Sequence, residues 1–417
     1  METFSAASSK RTQHNAVLAG FLGWTLDAFD FFILTFILVD VAKDFHKSIP
    51  DIALTLTATL AMRPVGALIF GLMADRYGRK RPMMINIIFY SIIEVFSGLA
   101  PNYTLFMILR LLYGIGMGGE WGVGASLVME SAPMKRRGFL SGVLQEGYAV
   151  GFLLAAAAYY FIFPHFGWRV MFFIGGLPAL LTLFIRSKIK ETEAWKRNRS
   201  SDWKAYFTSV TKHWKLFLYL VILMSAMNLI SHGTQDLYPT FLQKQQHYGA
   251  HETAIVTMIS MLGAILGGLL FGSLSDKWGR KRMMAVAMVL GIALIPLWLH
   301  EGSMAIIAAG AFGMQFMVQG AWGIIPAHIN ELSPGALRGF FPGFAYQLGV
   351  LIASGIAYIE AVLAQHVSYA TSMELLAGAV LILGVIIVIA GPEARGVHFI
   401  DPENKTHDKG EEASLKV

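Results

Sequence analysis

The stretch Gly71-Leu-Met-Ala-Asp75-Arg-Tyr-Gly78-Arg79-Lys80-Arg81 decides the fold, because it returns 201 residues later as Gly272-Ser-Leu-Ser-Asp276-Lys-Trp-Gly279-Arg280-Lys281-Arg282. The same offset maps Glu130 onto Glu331 and Arg137 onto Arg338. One register that carries all these pairs indicates a duplicated module of about 200 residues, and each copy of a module that long must hold several helices.

Composition places both copies in a lipid bilayer. The chain has 417 residues, of which 55% are hydrophobic and only 14% are charged, whereas soluble domains carry about 25% charged residues. Apolar stretches of about 20 residues can span a bilayer, and two apolar halves of this kind are typical of a transporter. We predict an all-α membrane protein with twelve transmembrane helices in two pseudo-symmetric six-helix bundles. The predicted spans are 16–39, 52–74, 83–100, 103–128, 138–162, 169–187, 216–240, 253–275, 284–299, 303–329, 338–364 and 371–391.

Basic residues lie in alternate loops, so the net charge of +6 does not indicate a nucleic-acid surface. By the positive-inside rule we expect both termini and the central connector to be cytoplasmic, in a multi-pass protein of the cell (inner or plasma) membrane. The basic and tryptophan-rich connector suits either an amphipathic stretch at the lipid headgroups or a solvated linker. We predict an N-terminal bundle over 1–187, a cytoplasmic linker over 188–215, a C-terminal bundle over 216–391 and a polar, disordered cytoplasmic tail over 392–417.

The twin loops resemble the signature of the major facilitator superfamily, which follows its helices 2 and 8 in the form G-x-x-x-D-x-x-G-R-K. The run Arg110-Leu-Leu-Tyr-Gly114-Ile-Gly116-Met-Gly118-Gly119-Glu120 resembles the family's helix-4 motif. The terminal Gly391-Pro-Glu-Ala-Arg-Gly396 resembles its motif at the end of helix 12. This resemblance covers nearly the whole chain and implies alternating access between two helix bundles.

The carboxylates Asp75 and Asp276 are candidate gate residues. A carboxylate at a cytoplasmic helix end can accept hydrogen bonds from the N-terminus of a neighbouring helix, and such contacts favour the state that is closed on that side. The alternative is that the Arg and Lys residues of these loops only set the topology. We expect Glu120 and Glu146 to pair with Arg110 or Arg137 near the inner end. The gate residues that we predict are Asp75, Arg79, Arg110, Glu130, Asp276, Arg280 and Glu331.

The densest intramembrane polar patch lies on the seventh predicted span. Asn228, His232, Gln235 and Asp236 stand at i, i+4, i+7 and i+8 and share one helical stripe, which must face a cavity or a partner because lipid cannot satisfy it. The run 228–240 resembles the N-x-x-S/T-H-x-S/T-Q-D-x-x-x-T pattern of fungal lactate/proton symporters, a branch of the sialate:proton symporter family. The resemblance implies proton-coupled uptake of a small monocarboxylate, with lactate as the first candidate. Sialic-acid transporters of this family commonly carry two additional central helices, for which 188–215 is too polar.

Arg63, in the second predicted span, is the candidate anion-binding residue. A guanidinium can hold a carboxylate through two hydrogen bonds and does not lose its charge. The alternative is a structural ion pair with Asp27 or Asp30, from which the substrate releases Arg63 during transport. Because Pro64 disfavours helical geometry in the residue before it, we also expect a kink at Arg63.

His232 and Asp236 are the candidate proton carriers, because histidine titrates near physiological pH and one helical turn separates the two side chains. Two alternatives stay open: His232 only orders its helix, or Asp27 and Asp30 carry the proton.

Three neutral amides, Asn228, Gln235 and Gln347, are candidate donors to a carboxylate and an α-hydroxyl. Asp27 is expected at the depth of Arg63 and Asn228, and we predict that Asp27 and His232 also belong to the substrate-binding residues. The alternative role of the amides is to hold helices together.

The sequence contains no motif that would indicate an ATPase, a metal-dependent protein or a hydrolase. The chain has no P-loop, no metal-ligand cluster with suitable spacing and no Ser-His-Asp nucleophile context, and its lack of cysteine excludes thiolate chemistry. We therefore predict a monomeric symporter, not an enzyme, that binds a small organic acid anion, a proton and the lipid bilayer, without a cofactor, a metal or nucleic acid. The rivals are a symporter of sialic or other organic or aromatic acids, a carrier without proton coupling, and a non-transporting sensor.

Overall fold

The structure is a computed structural model that describes residues 2–181, 211–338, 340–364 and 366–397, together with five single residues between 182 and 210, namely Phe184, Lys188, Glu191, Trp195 and Thr208. Across these residues the regular secondary structure is helical. The α-helices are α1 Glu2–Asp44, α2 Ile49–Tyr77, α3 Lys80–Gly98, α4 Tyr103–Ser131, α5 Arg137–Gln145, α6 Gly147–Phe161, α7 Phe163–Ile174, α8 Trp214–Gln235, α9 Tyr238–Lys244, α10 Ala250–Trp278, α11 Arg280–Trp298, α12 Met304–Trp322, α13 Ile325–Leu332, α14 Phe341–Ala353, α15 Ile356–Leu363 and α16 Tyr369–Ala390.

Eight segments among the described residues are long and apolar enough to cross a bilayer. The predicted third and fourth spans are also present as the long helices α3 and α4, which carry the buried charged residues Glu94, Arg110 and Glu120. The eight segments are Gln13–Leu38, Leu54–Tyr77, Met134–Phe161, Trp214–Lys244, His251–Trp278, Arg280–Trp298, Met304–Leu332 and Tyr369–Ala390.

Four predicted spans are interrupted, although the sequence analysis treated them as continuous. Proline at the start of α9 and α13 suits a fresh helix start, because the first turn leaves its N–H groups unpaired in any case. Irregular backbone at membrane depth is tolerated where protein buries it. The interruptions lie at Glu146 between α5 and α6, at Asp236 and Leu237 between α8 and α9, at Gly323 and Ile324 between α12 and α13, and at Ser354 and Gly355 between α14 and α15.

Pro64 does not end the helix at Arg63, because α2 runs as one helix from Ile49 to Tyr77 with Pro64 inside it. A capping box starts this helix: Ser48 accepts from the Asp51 N–H, and the Asp51 carboxylate accepts from the Ser48 N–H at 3.0 Å. The Asp51 carboxyl is exposed, and its hydrogen bonds from Ser48 lower its pKa.

Glycine contacts make the duplication visible in the packing. A Cβ built on Gly66 of α2 would lie 1.7 Å from the Ile115 carbonyl oxygen of α4, and one built on Gly267 of α10 would lie 1.9 Å from the Phe316 carbonyl oxygen of α12. Both pairs are related by the offset of 201 residues. The small residue lets the two backbones touch, and in the first half this contact places Arg63 against α4.

The basic loops, at the turns after α2, α4, α10 and α13, all lie at one end of the bundle, which we call the basic end. The chain after α16 is ordered here over its first residues, because Glu393 accepts from the Arg280 N–H at 3.2 Å and the Val397 carbonyl accepts from Arg137 at 2.8 Å. The expectation of a disordered tail is therefore wrong for 392–397, while 398–417 and most of the predicted linker 188–215 lie outside the described residues.

Candidate functional site

A small cavity lies between the two halves of the chain, with walls from α1, α2, α5 and α6 on one side and α8, α12 and α14 on the other. Three of the sequence-predicted binding residues, Arg63, Asn228 and His232, line it together. The full lining is Phe31, Arg63, Gln145, Tyr148, Asn228, Ser231, His232, Gln319, Trp322 and Tyr346.

Arg63 contributes the fixed positive charge of this central cavity. Its side chain is buried, and its Nε and Nη2 atoms have no hydrogen-bond partner among the described residues. The guanidinium carbon lies 5.4 Å from the centre of the Tyr346 ring, a ring that also stacks on Trp121 at 4.4 Å. Arg63 is therefore held by an aromatic face while two of its donors stay available.

His232 contributes the titratable group of the cavity. Its Nδ1 lies 3.0 Å from the carboxylate of Asp236, the residue that follows the last residue of α8. The His232 side chain is 8% exposed and the Asp236 side chain 28% exposed. The carboxylate of this pair is therefore more exposed than the buried imidazole.

The three amide side chains that the sequence predicted as substrate donors lie in different surroundings. Asn228 lines the cavity, and its amide donates to the Met224 carbonyl at 2.7 Å. Gln235 does not line this cavity and instead donates to Gln315 of α12 at 2.6 Å. Gln347 donates to the Gly118 carbonyl at 3.2 Å, a contact that ties α14 of one half to α4 of the other, as in the alternative interhelical role.

Asp27 and Asp30 lie behind the cavity wall, fully buried, and their carboxylate oxygens lack hydrogen-bond partners among the described residues. The structural ion pair considered for Arg63 is therefore not formed as a direct bridge to either aspartate.

Arg110 belongs to a different group from the one that the sequence analysis assigned to it. It donates to Glu94 at 2.6 Å and to the Ser97 hydroxyl inside the first half, in the part of α4 remote from the basic end. The expected pairing of Glu120 and Glu146 with arginines is wrong: Glu120 lies 3.5 Å from Asn86, and both Glu146 oxygens lack a partner among the described residues. The packing of helices within the first half decides which partners Arg110, Glu120 and Glu146 can reach. Helix periodicity in the sequence does not specify that packing.

The remaining predicted gate residues gather at the basic end in two pseudo-equivalent networks. Arg79 donates to Asp75 at 2.5 Å and to Glu130 at 2.8 Å. Burial acts to lower the pKa of Arg79, but Glu130 and Asp75 outweigh it and the pKa is raised. In the second half Arg280 donates to Asp276 at 2.9 Å and to Glu331 at 3.0 Å.

The second network joins the two halves. The Asp276 carboxylate accepts from the backbone N–H groups of Gly138 at 2.9 Å and Phe139 at 3.2 Å, at the start of α5. Arg137 donates to Glu331 at 3.1 Å. The contact between a carboxylate and a neighbouring helix N-terminus that the sequence analysis expected is present for Asp276, where it links the two halves at the basic end.

Several lining residues were missed from the sequence, although the repeat carried a signal for them. The offset of 201 residues pairs Phe31 with His232 and Gln145 with Tyr346, and all four side chains line the cavity. In a duplicated module, equivalent helix faces of the two halves point to the same pseudo-symmetry axis between them. Applying the offset to His232 would therefore have found its aromatic counterpart.

A family model described as the Major Facilitator Superfamily matches residues 20–250 and 234–414 of the chain. The chain belongs to this superfamily. The transporter is 30% identical, over 91% of its own length, to the carboxylic acid transporter protein homolog of Saccharomyces cerevisiae, of which it covers 68%. It is 32% identical, over 92% of its length, to the sialic acid transporter NanX of Escherichia coli, of which it covers 95%.

A solved structure of the proton:xylose symporter XylE, bound to 6-bromo-6-deoxy-D-glucose, shares the fold of the transporter. The TM-score is 0.76 at 18% sequence identity, with coverage of 94% of this chain and 98% of that chain. The predicted fold class is thereby confirmed: the transporter is a multi-pass membrane protein with the twelve-helix major facilitator fold, and it is not an enzyme.

Proposed function

We propose that the transporter is a proton-coupled symporter of a small monocarboxylate, with lactate as the first candidate, and that it works as a monomer by alternating access. The observation that carries this proposal is the central cavity, into which one half presents Arg63 and the other half presents His232. A permanent cation and a titratable imidazole in one buried space are what the joint binding of an anion and a proton requires.

The free donors of Arg63 support recognition of a carboxylate. Buried N–H groups without a partner are costly, and two oxygens of one carboxylate can accept from the guanidinium fork. Asn228 and Gln319 stand in the same lining as neutral partners for an α-hydroxyl. The ligand would therefore complete hydrogen bonds that the described side chains leave open.

The 3.0 Å contact between His232 and Asp236 supports a proton site beside the anion. Protonation of this pair cancels the negative charge of Asp236 and so favours an incoming anion in the cavity. One proton and one monocarboxylate cross together without net charge, so the pH gradient and the acid gradient drive transport. Asp27 and Asp30 remain the alternative proton carriers.

The closed basic end supports the direction of access. Asp276 joins the halves there, and such a link favours the state that is closed on that side. The distribution of basic residues assigns this end to the cytoplasm, with both termini on the same side, in the cell membrane. We infer that acid and proton enter from the opposite side, and that separation of Asp276 from α5 accompanies release inward.

A second candidate is proton-coupled transport of sialic acid or of another organic acid. The Escherichia coli relative is named a sialic acid transporter, and the yeast relative is named a carboxylic acid transporter homolog. Both names support an organic acid anion, and they differ in the size of the acid.

The test is uptake into proteoliposomes after an imposed pH step, with a panel of labelled acids from two to nine carbons. We expect lactate to accumulate against its gradient when the outside is acidic. Uptake that ignores the pH step would indicate a carrier without proton coupling. An absence of accumulation for every acid would leave the sensor class.

A further inference from the structure

Glu360 of α15 is a buried carboxylate to which the proposed function gives no role. Its side chain is fully buried, and both of its carboxylate oxygens lack a hydrogen-bond partner among the described residues. Ser372 of α16 donates to the backbone carbonyl of Glu360 at 2.9 Å. Contact with α16 therefore holds the backbone at this position and leaves the carboxyl group open.

The carboxyl group of Glu360 lies against the last turn of α8. A Cβ built on Gly233 would lie 3.4 Å from a carboxylate oxygen of Glu360, which is an ordinary van der Waals distance. The Asp236 N–H donates to the His232 carbonyl at 3.0 Å, so the helical turn continues through Asp236. At 3.6 residues per turn, Asp236 lies about 40° from His232 and about 60° from Gly233 around the axis. Asp236 therefore stands between the imidazole that it contacts and the face of α8 that meets Glu360.

No cation among the described residues of the neighbouring helices faces Glu360. Its helix α15 packs against α8 and α16. The titratable groups at the adjacent end of α8 are His232 and Asp236, while Lys215 lies at the opposite end. The charged residue of α16 is Glu374, and it is exposed. An ionised carboxylate buried without a cation is so costly that the group takes up a proton instead. Glu360 is therefore protonated in this state.

Asp236 can accept the proton of Glu360. The printed hydrogen bond of its carboxylate is the one to His232, made by a single oxygen, which leaves the other oxygen open among the described residues. Two carboxyl groups that lie close together are not both ionised at low cost, so one of them keeps a proton. A proton on Glu360 and a negative charge on Asp236 satisfy this condition, and so does the reverse arrangement.

We propose that Glu360 is a third proton-carrying residue of the symport reaction, which exchanges the transported proton with Asp236 and through it with His232. In this exchange the O–H bond of the Glu360 carboxyl group breaks and an O–H bond forms on the Asp236 carboxylate, while the negative charge moves from Asp236 to Glu360. The inference rests on the proposed function, since it requires that the transported proton reaches His232 and Asp236.

Infrared difference spectra test the proton exchange directly. Spectra of the purified full-length transporter in acid and in alkaline buffer show the carbonyl stretch of each carboxyl group that loses its proton between them. We expect one such band to be absent from Glu360→Gln, whose amide has nearly the same shape and cannot ionise. We expect Asp236→Asn to shift the loss of this band to a lower pH, because the neighbouring negative charge that helps Glu360 to keep its proton is removed.

Uptake into proteoliposomes tests the role of this proton in transport. We expect Glu360→Gln to reduce lactate accumulation after a pH step by about tenfold or more, while exchange of preloaded lactate stays within about twofold of wild type. The matched control is Glu146→Gln. Glu146 is also buried with both oxygens unpaired among the described residues, but it lies in the first half, beside Gly268 of α10. Its variant should accumulate lactate like wild type.

Infrared bands in Glu360→Gln that match those of wild type overturn the proposal, because Glu360 then does not exchange a proton. An unchanged pH for the loss of the Glu360 band in Asp236→Asn also overturns it, since the two carboxyl groups are then not coupled. Equal loss of accumulation in Glu146→Gln, or loss of exchange in Glu360→Gln, does the same. If the wild type accumulates no acid after a pH step, the proposed function fails, and the infrared spectra still decide whether Glu360 exchanges a proton with Asp236.

Discussion

Replacing Asp276 with asparagine should open the basic end of the transporter. The Asp276 carboxylate accepts two backbone N–H groups at the start of α5 across the boundary between the halves, and one Arg280 donor within its own half. The substitution keeps one neutral acceptor, and Arg280 keeps its contacts with Glu331. The second half should therefore fold, while the link to α5 weakens.

The size of the effect follows from the two hydrogen bonds that cross the boundary. A hydrogen bond to a charged group contributes about 1.5–3 kcal/mol, and the attraction of a carboxylate to a helix N-terminus about 0.3–1 kcal/mol. With one neutral hydrogen bond retained, we expect the closed state to lose about 2–3 kcal/mol. This changes the equilibrium constant between closed and open states about 30- to 150-fold.

The assay uses the absence of cysteine from the chain. Cysteines introduced at the exposed positions Lys135 and Lys277, on either side of the contact between α5 and α10, carry spin labels whose separation is measured by pulsed electron resonance. We expect Asp276→Asn to add or enlarge a longer-distance population. The control is Asp51→Asn, because the Asp51 carboxylate accepts only from Ser48 at the start of its own helix among the described residues.

An unchanged distance distribution in Asp276→Asn would refute the reasoning, because the cross-boundary hydrogen bonds would then not set the state. An equal shift in Asp51→Asn would refute it too, by showing that loss of any carboxylate cap loosens the bundle.

The other predictions concern binding, coupling and packing. Arg63→Ala should abolish lactate binding and uptake together, whereas Arg63→Lys should keep weak binding; unchanged affinity by calorimetry would assign Arg63 to structure alone. Asp236→Asn should spare exchange of preloaded substrate and stop pH-driven accumulation, and loss of both would instead indicate a role in binding or folding. Arg110→Met leaves its glutamate partner buried without a cation and should cost about 3–5 kcal/mol of stability, measured as a lower melting temperature in detergent; an unchanged melting temperature would mean that water reaches this pair. Gly267→Ala places a Cβ against a backbone carbonyl and should cost about 1–3 kcal/mol, while Gly355→Ala, which meets no atom within 4 Å, should melt like wild type.

Local patterns in the sequence were enough for the class of fold. Apolar runs of bilayer length are a property of neighbouring residues, and the repeated Asp75 and Asp276 loops show the duplication without any knowledge of packing. The expectation that Asp276 meets a helix N-terminus also came from local chemistry, since a carboxylate at a helix end beside basic residues has few other partners.

Spacing on one helix was enough to place His232 beside Asp236, because i and i+4 side chains meet on any α-helix. The same stripe did not keep Gln235 in the central cavity, since α8 ends at this residue and Gln315 of another helix takes its amide. The neighbours that the last turn of a helix contacts depend on which other helices pack against it. The residues within the stripe do not specify those helices.

The sequence by itself determined a duplicated helical membrane protein with twin acidic loops, an intramembrane arginine and a polar stripe, because periodicity, charge and repeats are written in residue order. Only the tertiary structure decided where the spans break, that Arg110 pairs with Glu94, and that Arg63 and His232 share one cavity while Gln347 joins the halves. These outcomes depend on the rotation of each helix about its own axis and on glycine contacts between helices far apart in the chain, which come into existence only when the two halves pack.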